Sequence, residues 1–338
     1  MNVMARNTQT RMLRSCDAIF EGDTFFTLAF RDIYEKYLHP PNRSTNVFTL
    51  AAAVPRNKEL AVRTIAPPAP GDCCSLVVGR HDHAGLSLQT DSTLSLRHAT
   101  VILSSDREGA PFIRVIDLNS VFGLQDIAHD THRSLAANGP VALRLADAAL
   151  FIFPPSSSFE SAGGFDESAG GFDDMKWADV MPHDPDQEPE EQLNDHASRE
   201  GRSTAISVVA DINAVPPPGD TAAVTDTAGT VEMRSLGQTY RRLLSRHALR
   251  RGVLIGRYAR CDINTANLPM AADISRIHAL LISIDNQLHL VDAGSKNGVR
   301  TGAVYATEHA VADDTSTSFV LGGTLLLKWI PHVESVEE

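Results

Sequence analysis

A repeat constrains this chain more than any other feature of its sequence. Gly79-Arg80, Ser95-Leu96-Arg97-His98 and Asp117-Leu118-Asn119-Ser120-Val121-Phe122-Gly123 recur as Gly256-Arg257, Ser275-Arg276-Ile277-His278 and Ser295-Lys296-Asn297-Gly298. The offset between corresponding landmarks stays between 175 and 180 residues, which chance similarity does not maintain. The closing segments agree as well: Leu145 to Phe153 matches Leu321 to Trp329, each followed by a proline-containing exit. The chain must therefore fold one architecture twice.

The periodicity between the landmarks says which architecture. Val101 and Leu103, then Ile113, Val115 and Asp117, and later Val141, Leu143 and Leu145 repeat with a period of two, the signature of strands with one face in a core. In the second copy Leu280, Ile282 and Ile284 alternate with Ala279, Leu281 and Ser283. Leu288 and Leu290 then open the next strand across a turn at Asp285-Asn286. Helical signal is sparse in both copies, so the expected class is all-β, each copy a sandwich of two antiparallel sheets.

Between the copies the composition changes. A repeated Ala-Gly-Gly-Phe-Asp phrase (162–166 and 169–173), an acidic, Pro-rich run from Asp173 to Glu200 and Pro216-Pro217-Pro218 leave little to bury, and a disordered connection is expected. The resulting division is an N-terminal extension 1–45, a sandwich 46–154, a linker 155–229, a second sandwich 230–332 and a tail 333–338. In the extension, Asp23-Thr24 opens a helix over 24–38 through Phe26, Phe30, Ile33, Tyr34 and Tyr37, ended by Pro40-Pro41. Packing its aromatic face on the first sandwich is the plain expectation; docking on another protein is the alternative.

Charge and cysteine content narrow the function. At 338 residues and a net charge of −12, the molecule as a whole is repelled by nucleic acid and by anionic membrane surfaces. The Arg-rich run Tyr240 to Arg251 then reads as a solvated basic face. Cys16, Cys73, Cys74 and Cys261 form no CxxC pair and no zinc spacing, pointing to a reducing compartment, a cytoplasmic location and no structural metal. His81-Asp82-His83 has no third partner placed by sequence and reads as a solvated loop. No cofactor motif is present.

The second copy gathers the chemistry that a phosphate dianion requires. Arg257 offers a planar fork of donors, Ser275 a hydroxyl, Arg276 and Lys296 further positive charge, and Asn297 an amide that donates and accepts. In this order, GR, SRIH and SKNG resemble the forkhead-associated (FHA) domain, over about residues 228 to 332. The resemblance implies a phosphothreonine-binding β-sandwich, with Arg257 and Ser275 on the phosphate oxygens, Arg276 and Lys296 beside them and Asn297 on the peptide main chain. It gives His278 a structural role beneath the loop, with Gly256 and Gly298 serving backbone geometry.

The first copy is a degenerate version of the same domain. Arg80, Ser95 and Arg97 keep the parts of a weaker second phosphate site, but Leu96 replaces Arg276, Val121 replaces Lys296 and Phe122 replaces the asparagine. The expectation is a non-enzymatic adaptor whose partners are phosphothreonine proteins, a Ser/Thr kinase or its substrates among them, with no nucleic acid and no membrane. The alternatives are an FHA-fold scaffold for unmodified protein surfaces and, without a nucleophile–base pair to support it, an enzyme with a site between domains.

Overall fold

The computed structural model describes residues 24–33, 46–155 apart from 90, 106–108 and 128, and 226–332 apart from 285 and 313. Two compact units divide the chain, Met1–Asp184 and Pro185–Glu338. The segment expected to be a disordered linker falls almost wholly outside the described residues, as do Tyr34, Tyr37 and the helix end expected near Leu38.

Among the described residues the first unit has one helix, α1 (Thr24–Ile33), and eleven strands. These are β1 (Phe48–Val54), β2 (Glu59–Ile65), β3 (Cys73–Gly79), β4 (Leu86–Ser87), β5 (Ala99–Ser105), β6 (Pro111–Asp117), β7 (Leu124–Gln125), β8 (Thr131–His132), β9 (Ser134–Ala137), β10 (Val141–Leu145) and β11 (Ala148–Phe153). They form two sheets, in the orders β2-β1-β11-β10-β7-β8 and β4-β3-β5-β6-β9. All pairings are antiparallel except the short β3–β4 ladder.

The second unit repeats this plan. Its strands are β12 (Thr227–Ser235), β13 (Gln238–Ser245), β14 (Val253–Gly256), β15 (Ile263–Asn264), β16 (Ala279–Ile284), β17 (Gln287–Asp292), β18 (Val299–Thr301), β19 (Val304–Tyr305), β20 (Glu308–Val311), β21 (Thr317–Leu321) and β22 (Leu325–Pro331). A short helix, α2 (Arg246–Arg251), follows β13. The sheets run β13-β12-β22-β21-β18-β19 and β15-β14-β16-β17-β20, so every strand takes the place of its counterpart eleven positions earlier. The expected pair of all-β sandwiches is what the chain forms.

Alternation builds each core. Phe48, Leu50, Ala52 and Val54 of β1 meet Val101, Leu103, Ile113 and Val115 of the facing sheet, and Val231 and Met233 of β12 meet Ala279, Leu281 and Leu290. In β16 the other face is buried as well, since Leu280, Ile282 and Ile284 are 0–4% exposed, so alternation of polarity alone does not show which side of β16 is the core.

The outer faces of the two six-stranded sheets differ. In the first unit Ala51, Ala53, Ala142, Ala149, Phe151 and Phe153 lie outward, and α1 covers them with Phe26, Ala29, Phe30 and Ile33. Phe30 meets the Phe151 ring at 5.6 Å between centroids and Phe26 meets it at 6.2 Å, both edge-to-face, the geometry favoured by the ring quadrupoles. In the second unit Glu232 pairs with Lys328 where Ala51 pairs with Phe151. Glu232 is 1% exposed and is held by Arg241 at 2.7 Å, with Arg234 as its second partner. Hydrogen bonding from Arg241, then from Arg234, holds this carboxyl below the usual carboxylate range.

The basic run expected as a solvated face lies within the second sandwich, with Arg241, Arg246, Arg250 and Arg251 exposed. Tyr240 to Ser245 lies in β13, paired residue by residue with β12, and Arg246–Arg251 forms α2, capped by the Ser245 hydroxyl accepting from Ala248 N–H. Arginine alternation disguised the strand: Arg241 points to Glu232 while Leu244 enters the core.

Candidate functional site

Three loops of the second unit converge at one end of the sandwich. Beyond β14, the Arg257 N–H donates to Ser275 O at 3.2 Å and the Tyr258 N–H to Arg276 O at 2.9 Å. The GR and SRIH segments are thereby laid side by side. Gly256 permits that approach, because a Cβ there would collide with the Arg276 carbonyl. The third loop joins through Ser275, whose Oγ accepts the Lys296 N–H at 2.9 Å.

His278 ties the same loops from beneath. It is fully buried, its Nδ1 accepts the Ser275 N–H at 3.0 Å, and its Nε2 lies 3.1 Å from Gly298 O. A ring that accepts at Nδ1 carries its proton on Nε2, so that nitrogen donates to Gly298. Gly298 itself has φ 76°, a left-handed conformation that side chains disfavour. The turn before it is closed by Ser295, whose N–H donates to Asp292 Oδ1 at 2.6 Å and whose Oγ accepts the Gly298 N–H at 2.9 Å.

The polar hands project outward from this frame. Arg257, Arg276, Lys296 and Asn297 are exposed. Among the described residues the charged ends of Arg257, Arg276 and Lys296 make no hydrogen bond or ion pair. The Ser275 hydroxyl keeps its own proton available to donate. Asn297 is oriented rather than consumed: its Nδ2 donates to Asp273 O at 3.0 Å, leaving a second N–H and the Oδ1 acceptor. The loops that carry the residues assigned from sequence are tied to one another through their backbones at one end of the sandwich.

The same frame carries different hands in the first unit. Arg80 N–H donates to Ser95 O at 3.1 Å, His81 N–H to Leu96 O at 3.1 Å, and the His98 ring bridges Ser95 N at 3.4 Å and Gly123 O at 3.0 Å. Burial pushes the His98 imidazole below its ordinary pKa, against the opposing pull of the Gly123 carbonyl, Asp117 and Asp91. Yet Arg80 Nε is bound to Leu94 O at 3.0 Å, and a buried carboxylate, Asp91, follows on the same segment. Where Lys296 and Asn297 stand, Val121 is 76% exposed and Phe122 50%. Arg80 follows β3, and Ser95 and Arg97 lie on the segment laid beside it, so the residues of the weaker second site come from two neighbouring segments, opposite a loop that carries Val121 and Phe122 in place of a lysine and an asparagine.

His81, Asp82 and His83 sit on an exposed loop where His81 Nδ1 is 2.8 Å from Asp82 Oδ1. Among the described residues no group of three His, Cys, Asp or Glu side chains could hold a metal ion. Cys73, Cys74 and Cys261 are free thiols, and no described helix is long and apolar enough to cross a membrane.

Two contributors escaped the sequence reading. Asp273 offers only its carbonyl, which any residue type supplies, so no sequence signal exists. Tyr305 packs its ring on Gly298, where a Cβ would lie 3.0 Å from Cδ1; the sole hint was an aromatic in a short hairpin.

The β-sandwich thus carries an arginine pair, a lysine, a serine and an asparagine on three loops at one end. The FHA domain family model matches residues 253–302, from the start of β14 to the β18–β19 turn, so the second unit carries an FHA domain. No curated protein matches the chain. Among solved structures it is similar to the first FHA domain of Mycobacterium tuberculosis Rv1747, at 19% identity and TM-score 0.25, covering 31% of this chain and 99% of that one. A second is the FHA domain of CT664 from Chlamydia trachomatis, at 18% identity and TM-score 0.26, covering 32% of this chain and 96% of that one. A third is Mycobacterium tuberculosis EmbR in complex with a low affinity phosphopeptide, at 18% identity and TM-score 0.24, covering 31% of this chain and 25% of that one.

Proposed function

We propose that this protein is a non-enzymatic adaptor or scaffold in Ser/Thr kinase signalling, whose C-terminal FHA domain binds phosphothreonine segments of partner proteins. One observation carries the reading: Lys296 N–H on Ser275 Oγ joins the loop bearing Arg276 to the loop bearing Lys296 and Asn297, and the Arg257 N–H on Ser275 O adds the third loop, so that the exposed polar residues share one end of the sandwich. Arg257 and Ser275 take the phosphate oxygens in this reading, Arg276 and Lys296 add charge, and Asn297 holds the peptide main chain. The partners are phosphorylated proteins, the writing kinase or its substrates included, and the setting is cytoplasmic. Residues 46–154 and 230–332 act as separate domains joined by 155–229.

The test is calorimetric titration of the full chain with phosphothreonine, phosphoserine and unphosphorylated versions of peptides from an oriented library. Phosphothreonine peptides bind, and Arg257→Ala lowers their affinity about tenfold to hundredfold through lost charge-assisted hydrogen bonds. Equal binding of phosphorylated and plain peptides would sink the proposal. The exposed Val121 and Phe122 favour a different role for the first unit, contact with unmodified protein surfaces, which phosphatase treatment of a partner would leave intact.

A further inference from the structure

We infer that the Val304–Tyr305 edge of the β18–β19 hairpin selects an apolar residue flanking the phosphothreonine. The inference rests on the phosphopeptide reading and adds a specificity-determining residue to it. Val304 is 64% exposed and Tyr305 61%, and β19 is the last strand of its sheet, so within this unit no further strand covers them.

The ring is larger than its structural task requires. In the first unit the contact with the left-handed glycine of the same loop, Gly123 at φ 72°, is made by the methyl group of Thr131. A threonine methyl suffices to support the turn. Tyr305 makes the corresponding contact with one edge and leaves most of its surface in water. The remaining face of the ring is apolar area that a ligand side chain can cover, with a hydroxyl at its far end.

The occupant follows from continuity along one loop. Ser275 Oγ meets Lys296 N–H, the next residue is Asn297, and the one after is Gly298, against which Tyr305 packs. A peptide fixed by its phosphate at the cationic end and by its main chain at Asn297 reaches Gly298 and Tyr305 next. The surface therefore changes from cation to amide to apolar ring in the order in which a phosphorylated segment with an apolar neighbour would present its groups. Tyr is a rigid, amphipathic contact residue with little rotamer entropy to lose, which suits this role.

The experiment measures fluorescence anisotropy of the full chain with a set of phosphothreonine peptides, each flanking position carrying either leucine or serine. Wild-type protein is expected to prefer leucine at one flanking position by about tenfold, the worth of partly burying such a side chain. Tyr305→Ser lowers affinity for the leucine-flanked peptide by about tenfold more than for the serine-flanked one, and Tyr305→Phe keeps the wild-type preference. If Tyr305→Ser weakens leucine- and serine-flanked peptides equally, the ring only supports the loop and the inference is overturned. If wild type shows no leucine preference, it is likewise overturned, with the phosphopeptide reading intact. If no phosphopeptide binds, the parent reading fails and the selectivity falls with it.

Discussion

The amide of Lys296 and the hydroxyl of Ser275 lie 2.9 Å apart and join two loops that are 21 residues apart in sequence. The bond uses a lone pair of the serine and leaves its proton, so the residue that locks the loops together is also the one that the proposed function assigns to a phosphate oxygen. Under that proposal, removing the hydroxyl acts twice, on the frame and on the ligand.

Gly256→Ala is expected to lower stability by about 1–3 kcal/mol, the usual cost of forcing an extra group into a packed site. The new Cβ meets the Arg276 carbonyl, a backbone atom that no side-chain rotation can move. Chemical denaturation of the full chain reads the loss, and the second unit should show it alone. Unchanged stability would mean that the GR and SRIH segments are farther apart than described.

Asn297→Phe reproduces in the second unit the residue that the first unit carries as Phe122. Phosphopeptide affinity is expected to drop by roughly one to two powers of ten, since an apolar ring leaves the peptide carbonyl and amide unpaired. Folding should be unaffected because Asn297 is exposed and gives up one hydrogen bond, to Asp273 O. Titration of the variant beside circular dichroism separates the two effects.

Phe30→Ala in α1 should destabilise the first unit by about 3–5 kcal/mol, the range for deleting a buried aromatic. Phe30 is 1% exposed and wedged between Phe151 and Phe153. Hydrogen exchange followed by mass spectrometry should show faster exchange over β1 and β11 and no change in β12 to β22. Altered exchange in both units would contradict the confinement of this cluster to the first.

His98 should titrate below the ordinary histidine value of about 6.5, because burial penalises its charged form more than Gly123, Asp117 and Asp91 favour it. Its proton is taken up by the unfolded chain first as pH falls, so this group's contribution to stability is full above about 6.5 and is lost on acidification toward the lowered folded value. Asp117, raised by burial, acts with the opposite sign at lower pH. Imidazole resonances in an NMR titration decide it: His98 should shift only on the acid side of about 6.5, and a midpoint at or above that value would contradict the expectation.

Much of this architecture was legible because strands write their burial into every second residue. Val101, Leu103, Ile113 and Val115 show it plainly, and the repeat of landmarks doubled the signal. The candidate site was legible for another reason: Arg257, Ser275 and Asn297 sit at loop positions that the family motif fixes in order. Two things could not be read. Arg241 and Arg242 concealed β13, because the partner that accounts for Arg241, Glu232, is adjacent only after the strands pair. Tyr305 gave no warning either, since its contact with Gly298 depends on hairpin register and on no pattern in its own neighbourhood.

The helix laid over the first unit has a practical corollary. A polypeptide cut to begin at residue 46 would leave the Phe151 and Phe153 rings as a wet aromatic shelf, and such molecules should clump through it as their concentration rises. One cut to begin at residue 226 carries the charged side chains of Glu232, Arg234, Arg241 and Lys328 on the equivalent surface, and these give it an affinity for water. Light scattering of the two fragments would turn a difference in four side chains into a difference in solubility.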